Sequence, residues 1–599
     1  MKRFFAAIKD RMSGKEVRMA RFVGLMALFA ILALAYGWQI LRFRNHFGLH
    51  DWDFTFFLHQ YWHIAIFSFK QVPLWNPYIC GGMPFIGRPD VSVLPFPIIF
   101  VSLFGVMAGL RIMALFYIFL AMTGMFCLCR FFRIKTLPAM IASIIFSMNG
   151  CFALRVMAGH LGWLSAAYLP WIFLFYLKGL KKARYVFLSS VFLAFTALEG
   201  SHILIFTAVF LSVFSFLYSF QQKTIRPLLA LALALMFCVL FSGPKLFPMI
   251  EMMSRFPRLT DAGWAVPLGN LYDIFLERAQ QDNLFQRFIK NTAWWEIGAY
   301  VGLVPSVLFV LSFKMIKKQW PLLLTAVFIL LIGLGNFSGF APWTVLHSGP
   351  VFSNMHIPTR IFIVFVFLLS LLCGLCLNSF APRGGGREVF LRNAFLIALF
   401  CFVAWDLSAV NSAFFGEKFF SRLNVLRKPL FKENAFFQVE LPQQYHSLFG
   451  ATTGVFAQIL QNHGVVDGYE AIPVERNAVP YSGPDYRGEF HLLGSSGNVS
   501  QSYWSPNRLV FHYDIRRPDV LVVNQNYDKG WKAFPPKRVR SHNGLISVEI
   551  DPADKGVILY YLPLSFVAGL LTCAVAIAVY AVMIRKKIEW KGPMGSGLW

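Results

Sequence analysis

The stretch GLHDWDFTFF sets two carboxylates, Asp51 and Asp53, on either side of Trp52, just after an apolar run. Neighbouring carboxylates raise one another's pKa, and either can take a proton from an acceptor hydroxyl. The same pattern suits a helix start, since Asp at an N-cap accepts backbone N–H bonds and an apolar stretch follows. Both readings stay open on spacing alone. A divalent ion held by His50, Asp51 and Asp53 is a third arrangement. Hard cations want more oxygen ligands than this stretch supplies, so no metal and no other cofactor is expected. Further on comes PLWNPYICGGMPF, a Pro-, Gly- and aromatic-rich stretch that reads as irregular loop. Irregular backbone near membrane depth is tolerated where it is buried in protein or lines a cavity, so this loop is expected to shape a pocket.

Other ionisable residues are scattered along the chain. Arg155 and His160 lie in CFALRVMAGHLGW, and Glu199 and His202 bracket ALEGSH. Lys245 and Glu251 lie in SGPKLFPMIEMM, and His356 and Arg360 in MHIPTRIF. Singly, each suits a snorkelling or satisfied polar side chain. Gathered on one membrane face, they would supply cations and carboxylates to an anionic, lipid-anchored ligand. Lys245 and Arg360 are the strongest phosphate candidates, because each sits where a span begins or ends. The chain has no Walker A loop, no dinucleotide fingerprint after a strand, no HExxH and no GxSxG.

The elements that must position these residues are membrane spans. Of the 599 residues, 57% are hydrophobic and only 14% charged, against about a quarter charged in soluble domains. Apolar runs at 21–43, 109–130, 136–150, 163–179, 185–199, 202–220, 227–243, 299–315, 320–335, 360–379, 393–410 and 561–583 predict about twelve spans. The run at 91–107 contains Pro95 and Pro97 and reads as a re-entrant or interfacial helix. With the N-terminus inside, the inner segments include RFFRIK, KGLKKAR, QQKTIRP, KMIKKQ, APRGGGREVFLR and RKKIEWK, all basic. The positive-inside rule therefore places both termini in the cytoplasm and the ionisable clusters outside. It also accounts for the net charge of +26 without a nucleic-acid partner.

Residues 411–560 differ in composition. Runs such as RLVFHYDI, DVLVVNQNY, LISVEI and GVILYY alternate like strands between turn residues. The expected organisation is a transmembrane domain over 1–410, with a first outer loop at 44–108, an extracytoplasmic β-rich domain over 411–560, and a final span and tail over 561–599. Tyr503, Trp504, Tyr527 and Trp531 suit either sugar stacking or a β-sandwich core. Of the nine Cys, Cys80 and Cys151 both fall outside, where they could pair.

Taken together, HDWDF, PLWNPYICGGMPF, the Pro-rich stretch after it, MAGHLGWLSAAYLPWIFLFYLKGL, GPKLFP, IPTRIF and NQNYDKGWKAF resemble the YfhO-type family of bacterial membrane proteins, relatives of the GT-C glycosyltransferases. The resemblance runs over most of the chain. It implies a polytopic α-helical, GT-C-like enzyme of the bacterial inner membrane, with its active site facing outward and a role in the cell envelope. The donor would be a polyprenyl-phosphate-linked sugar, the acceptor a glycan or lipid, and membrane lipids the surroundings. The acidic residue of the first outer loop would be catalytic, a role that falls on Asp51 or Asp53. The chain departs from the family pattern at GRPD, where Arg88 and Asp90 add a charge pair near the site.

The expected chemistry is removal of the acceptor proton by Asp51 or Asp53, with Lys245, Arg360 and Arg155 holding the departing phosphate and inversion at the anomeric carbon. His160, Arg88, His202 and Glu199 complete the expected substrate site. Moving the base into a partly buried loop is expected to raise its pKa. The rival readings are a transporter or flippase of a lipid-linked saccharide and a non-catalytic envelope-assembly protein. Transporters usually carry internal repeats and mid-span polar groups, and neither is legible here.

Overall fold

The structure, a computed structural model, describes residues 14–44, 46–93, 95–258, 260–280, 293–380, 386–421, 430, 434–441, 454–468, 472–494 and 497–585. The basic stretches at 1–13, 381–385 and 586–591, on which the orientation partly depends, lie outside these residues.

Apolar runs become helices where about twenty residues can satisfy every backbone group internally. Among the described residues, 8 helical stretches are long and apolar enough to cross a membrane: Val106–Phe131, Thr136–Met157, Leu161–Gly179, His202–Gln222, Leu303–Gly333, Pro358–Ser379, Gly386–Phe415 and Leu564–Met583. Arg226–Phe241 and Gly243–Arg255, bent by 83°, make up to 9 if they form one broken span. The protein is a multi-pass membrane protein, mainly helical, with β-sheets toward its C-terminal end.

Even with that broken span the count falls short of about twelve, for three local reasons. The first run yields an apolar helix only over Phe22–Tyr36. The run at 185–199 forms Arg184–Glu199, 16 residues long. The runs at 299–315 and 320–335 join through a 3₁₀ turn and a kink at Gln319 into the single stretch Leu303–Gly333. Residues 95–104 form a ten-residue helix, Pro95–Phe104, that turns at Gly105 into Val106–Phe131. At 1.5 Å per residue it is about half the length a bilayer requires.

Helices that are apolar all round sit in the middle, as their composition dictates. Phe362 to Leu377 are buried without a break, whereas Leu564–Arg585 exposes Leu570, Leu571, Val575, Ile577 and Val582. That last helix packs on Gly243–Arg255 through a close approach of two glycines. A Cβ built on Gly569 would lie 2.3 Å from the Gly243 carbonyl oxygen.

The strand-like runs form two four-stranded antiparallel sheets. One has the order Val539–His542, Leu545–Ile550, Asp519–Asn526, Phe490–Leu492; the other Trp531–Phe534, Gly556–Tyr561, Arg508–Ile515, Gly497–Ser505. Alternate residues Leu509, Phe511, Leu521, Val523, Ile546, Val548, Val557 and Leu559 face inward and share one core, as two packed sheets require.

The first loop enters that core. Leu74, Trp75 and Ile86 are buried within it. Trp75–Asn76 pairs with Met83–Pro84 as a short hairpin, and the Trp75 indole donates to Gln525 Oε1 at 2.8 Å. Asn507 Oδ1 accepts from the backbone of Leu74 and Trp75 at 3.1 and 3.0 Å. The Asn526 amide reaches the carbonyls of Cys80, Gly82 and Glu475 at 2.6, 2.8 and 2.8 Å. Gly82, at φ +101°, leaves no room for a Cβ, which would meet the Trp75 ring at 2.8 Å.

Two sequence expectations resolve here. Trp531 is core, packed against Trp75 and Tyr561; Trp504 stacks on Phe436, while Tyr503 is exposed. Cys80 and Cys151 are both buried free thiols and form no disulfide. Cys80 lies in the hairpin turn and Cys151 on the Gly150–Met157 helix.

Candidate active site

Asp51 stands at the N-cap of the helix Trp52–His63, yet its side chain caps nothing there. Its carboxylate instead meets two imidazoles, His160 Nε2 on Oδ2 at 3.0 Å and His50 Nδ1 on Oδ1 at 3.0 Å. The backbone forces this meeting. Asp51 N–H donates to the Ala158 carbonyl at 3.0 Å, Thr55 Oγ1 to the Gly159 carbonyl at 2.7 Å, and the Trp52 indole to the Val156 carbonyl at 2.9 Å. Gly159, at φ +78°, allows the approach; a Cβ there would sit 2.6 Å from Trp52 N and 2.8 Å from the Asp51 carbonyl carbon.

Behind His160 runs a chain of charge. Arg155 lies on the helix Gly150–Met157 rather than in a loop and is only 5% exposed. It donates to His160 Nδ1 at 2.9 Å and to Glu296 Oε2 at 3.1 Å. Arg360 grips the same Glu296 with two bonds of 2.6 Å. Both guanidinium groups lie over Trp163, at 4.3 and 5.4 Å from its centroid, and His202 stacks on that ring at 5.1 Å.

A cavity of about 520 Å³ opens beside these residues, within the range of small-molecule sites. Asp51, Arg88, His160, Glu199, His202 and Arg360 line it, together with Glu296, Arg258, His356 and Asp90. Arg88 clasps Asp90 through bonds of 3.1 and 2.7 Å. Glu199 is buried and accepts from the hydroxyls of Tyr117 and Tyr168. Among the described residues, Arg258 is the cavity-lining arginine with no carboxylate partner.

Three expected site residues do not line the cavity. Lys245 is 0% exposed and donates to the Val91 carbonyl, bracing the segment after Asp90. Arg155 does not itself line the cavity but backs His160, Glu296 and Trp163, which do. Asp53 is 5% exposed and accepts the Val455 N–H at 3.2 Å, at the start of the short helix Val455–Leu460. Glu251, in turn, pairs with Lys529 at 2.7 Å.

The two carboxylates of HDWDF therefore differ electrostatically. Burial alone would raise Asp51, but the hydrogen bonds from His160 and His50 overcome it and hold the carboxyl well below the usual range. Burial pushes Asp53 up to about 8, against backbone N–H groups of Phe456, Val455 and Gly454 that pull the other way. The expected rise thus falls on the carboxylate outside the cavity. Glu296 resists its burial because Arg360 and Arg155 hold it far below its ordinary value. Burial lowers His160, which favours the neutral ring.

Glu296 and Arg258 were not singled out from the sequence. The only signal for them was their place between the apolar runs at 227–243 and 299–315, a stretch that carries several charges and no motif. The donors His50, Asp51 and His160 lie close enough together to bracket a cation.

No family model matches the chain, and no curated protein matches it in sequence. Among solved structures, the arabinofuranosyltransferase AftD from Mycobacteria is similar at a TM-score of 0.48 and 16% identity, covering 75% of this chain and 32% of that one. The Archaeoglobus fulgidus oligosaccharyltransferase in its apo form is similar at a TM-score of 0.44 and 12% identity, covering 74% of this chain and 64% of that one. The chain thus spans about a third of the first and just under two thirds of the second.

Proposed function

We propose that the protein is a GT-C-type glycosyltransferase of the YfhO kind, moving a sugar from a polyprenyl-phosphate-linked donor to a glycan or lipid acceptor on the outer face of a bacterial inner membrane. One observation carries the reading. Asp51, held ionised by two imidazoles, faces a cavity whose wall also presents Arg258, which has no carboxylate partner among the described residues. Glycosyl transfer needs this separation of a proton acceptor from a cation. The motif resemblance supplies the substrate class.

In the proposed reaction the acceptor hydroxyl oxygen forms the bond to the anomeric carbon, and the bond from that carbon to the donor phosphate oxygen breaks. The electron pair leaves with the polyprenyl phosphate, whose charge Arg258 and His202 stabilise. The hydroxyl proton passes to Asp51, which keeps a lone pair on each oxygen beyond its histidine bonds. Displacement from the opposite face inverts the anomeric centre. Arg360 is committed to Glu296 and acts as a positioning residue, as does Lys245 through Val91.

The test is release of polyprenyl phosphate by purified protein in nanodiscs given a panel of polyprenyl-phosphate sugars and acceptors. Asp51→Asn is expected to lower kcat by about 100- to 10,000-fold, with Asp53→Asn close to wild type. Full activity in Asp51→Asn would remove the base assignment. Donor binding without turnover in any acceptor mixture would favour a carrier of the same lipid-linked saccharide.

A further inference from the structure

The histidine–carboxylate cluster reads two ways: as a divalent-metal site or as a metal-free hydrogen-bonded triad. The hydrogen bond behind His160 separates them. An arginine side chain offers only donors and is never deprotonated in proteins, so the 2.9 Å contact from Arg155 requires a lone pair on His160 Nδ1. The proton of the neutral ring must then sit on Nε2, where it is donated to Asp51 at 3.0 Å. We propose that Arg155 is the positioning residue that locks His160 in the Nε2–H form, so that the His50–Asp51–His160 cluster orients a bare carboxylate and does not hold a metal.

The chemistry excludes the alternative on donor count. A metal-ligating histidine gives its metal one ring nitrogen and donates N–H from the other, commonly to a carboxylate or carbonyl. Here the other nitrogen faces a donor. Coordination through Nε2 with the Arg155 bond kept would demand an imidazolate. The lock is itself held, because Glu296 takes a second bond from Arg155 and is anchored by Arg360. His50 Nδ1 is likewise turned to Asp51, leaving one ring nitrogen and the carboxylate, short of the three protein ligands of a catalytic zinc site. The same assignment explains three linked charges, the buried Arg155 and the partly exposed Glu296 and Arg360, that bring one cation more than they cancel beside a carboxylate the reaction needs ionised.

Calling Asp51 the base rests on the proposed function; the tautomer and the absence of a metal site do not. The experiment therefore reads binding and protonation rather than turnover. Full-length protein labelled with ¹⁵N-histidine in nanodiscs, with His160 assigned from the His160→Gln spectrum, is expected to give a protonated Nε2 and an unprotonated Nδ1. An Nδ1–H or doubly protonated ring would overturn the proposal. Titration with Mn²⁺, followed by electron paramagnetic resonance, is expected to show no binding that depends on Asp51. Stoichiometric Mn²⁺ bound by wild type and lost in Asp51→Asn would also overturn it. Arg155→Met should move the His160 signal toward the Nδ1–H form while Arg155→Lys keeps it; an unchanged signal in Arg155→Met removes Arg155 from the role. If turnover is measurable, His160→Gln, whose amide both accepts and donates, should retain at least tenfold more activity than His160→Ala. Equal losses would count against the orienting bond.

Discussion

At the scale of single residues, the cavity's charges are mostly committed to one another. Arg88 is tied to Asp90 and Arg360 to Glu296, so an arriving phosphate gains little from either without breaking a pair. Arg258 has no such tie among the described residues and also lines the cavity. A charge-assisted bond to phosphate contributes about 1.5–3 kcal/mol. Arg258→Ala is accordingly expected to lower kcat/KM for the lipid-linked donor about tenfold or more, with part of the loss in kcat because the bond strengthens as the phosphate departs. Steady-state kinetics against donor concentration would decide it, and an unchanged kcat/KM would move the phosphate to another group. Lys245, conspicuous in the sequence because it sits where a span ends, is packed under Val91 near the start of Gly243–Arg255. Periodicity can place a lysine at a helix end but cannot say which side of that end faces the cavity.

At the scale of elements, the site depends on two helix starts. The first is the seam between Trp52–His63 and Gly150–Met157, where Gly159 touches the Asp51–Trp52 backbone. A methyl group there collides with backbone, and the positive φ adds strain. Gly159→Ala should cost about 1–3 kcal/mol and separate His160 from Asp51. Thermal melting should fall and the Nε2–H signal of His160 should shift; a variant unchanged in both would show that the seam tolerates displacement. The second is the start of Val455–Leu460, docked on Asp53. Burial raises this carboxyl to about 8, above the unfolded value of about 3.9. Above pH 4 the unfolded chain releases a proton that the folded chain retains, so this group's contribution falls as pH rises from about 4 to 8. Asp53→Asn keeps an acceptor for Val455 N–H without the ionisation. Its melting temperature relative to wild type should therefore climb between pH 5 and pH 8, and a constant difference would count against the raised carboxyl. The sequence made HDWDF conspicuous but could not divide its labour, because the division comes from partners about 100 and 400 residues away.

At the scale of the whole molecule, the β-sandwich works as a clamp on the first loop. Composition alone made the membrane character and the strand-rich segment legible. The span count was less so, because bends at Ser242 and Gln319 and the break at Gly37 depend on neighbours rather than on hydropathy. Least legible was that PLWNPYICGGMPF and NQNYDKGW, more than four hundred residues apart, are two halves of one contact. Asn526 binds the hairpin turn, Gln525 and Trp531 hold Trp75, and the hairpin leads directly into Arg88 and Asp90 on the cavity wall. Nearby, Asp528 takes Arg255 from the end of the Gly243–Arg255 helix. Removing the Asn526 amide would strand buried carbonyls of Cys80 and Gly82, each costing about 1–3 kcal/mol when left unsatisfied. Asn526→Ala should therefore speed amide hydrogen exchange across 72–86 while the strands 508–515 and 545–550 keep their protection. It should also lower turnover, although residue 526 is outside the cavity. Faster exchange in the loop with undiminished turnover would mean that the hairpin does not fix Arg88 and Asp90. Unchanged exchange would mean that the apolar insertion of Leu74, Trp75 and Ile86 holds the loop unaided.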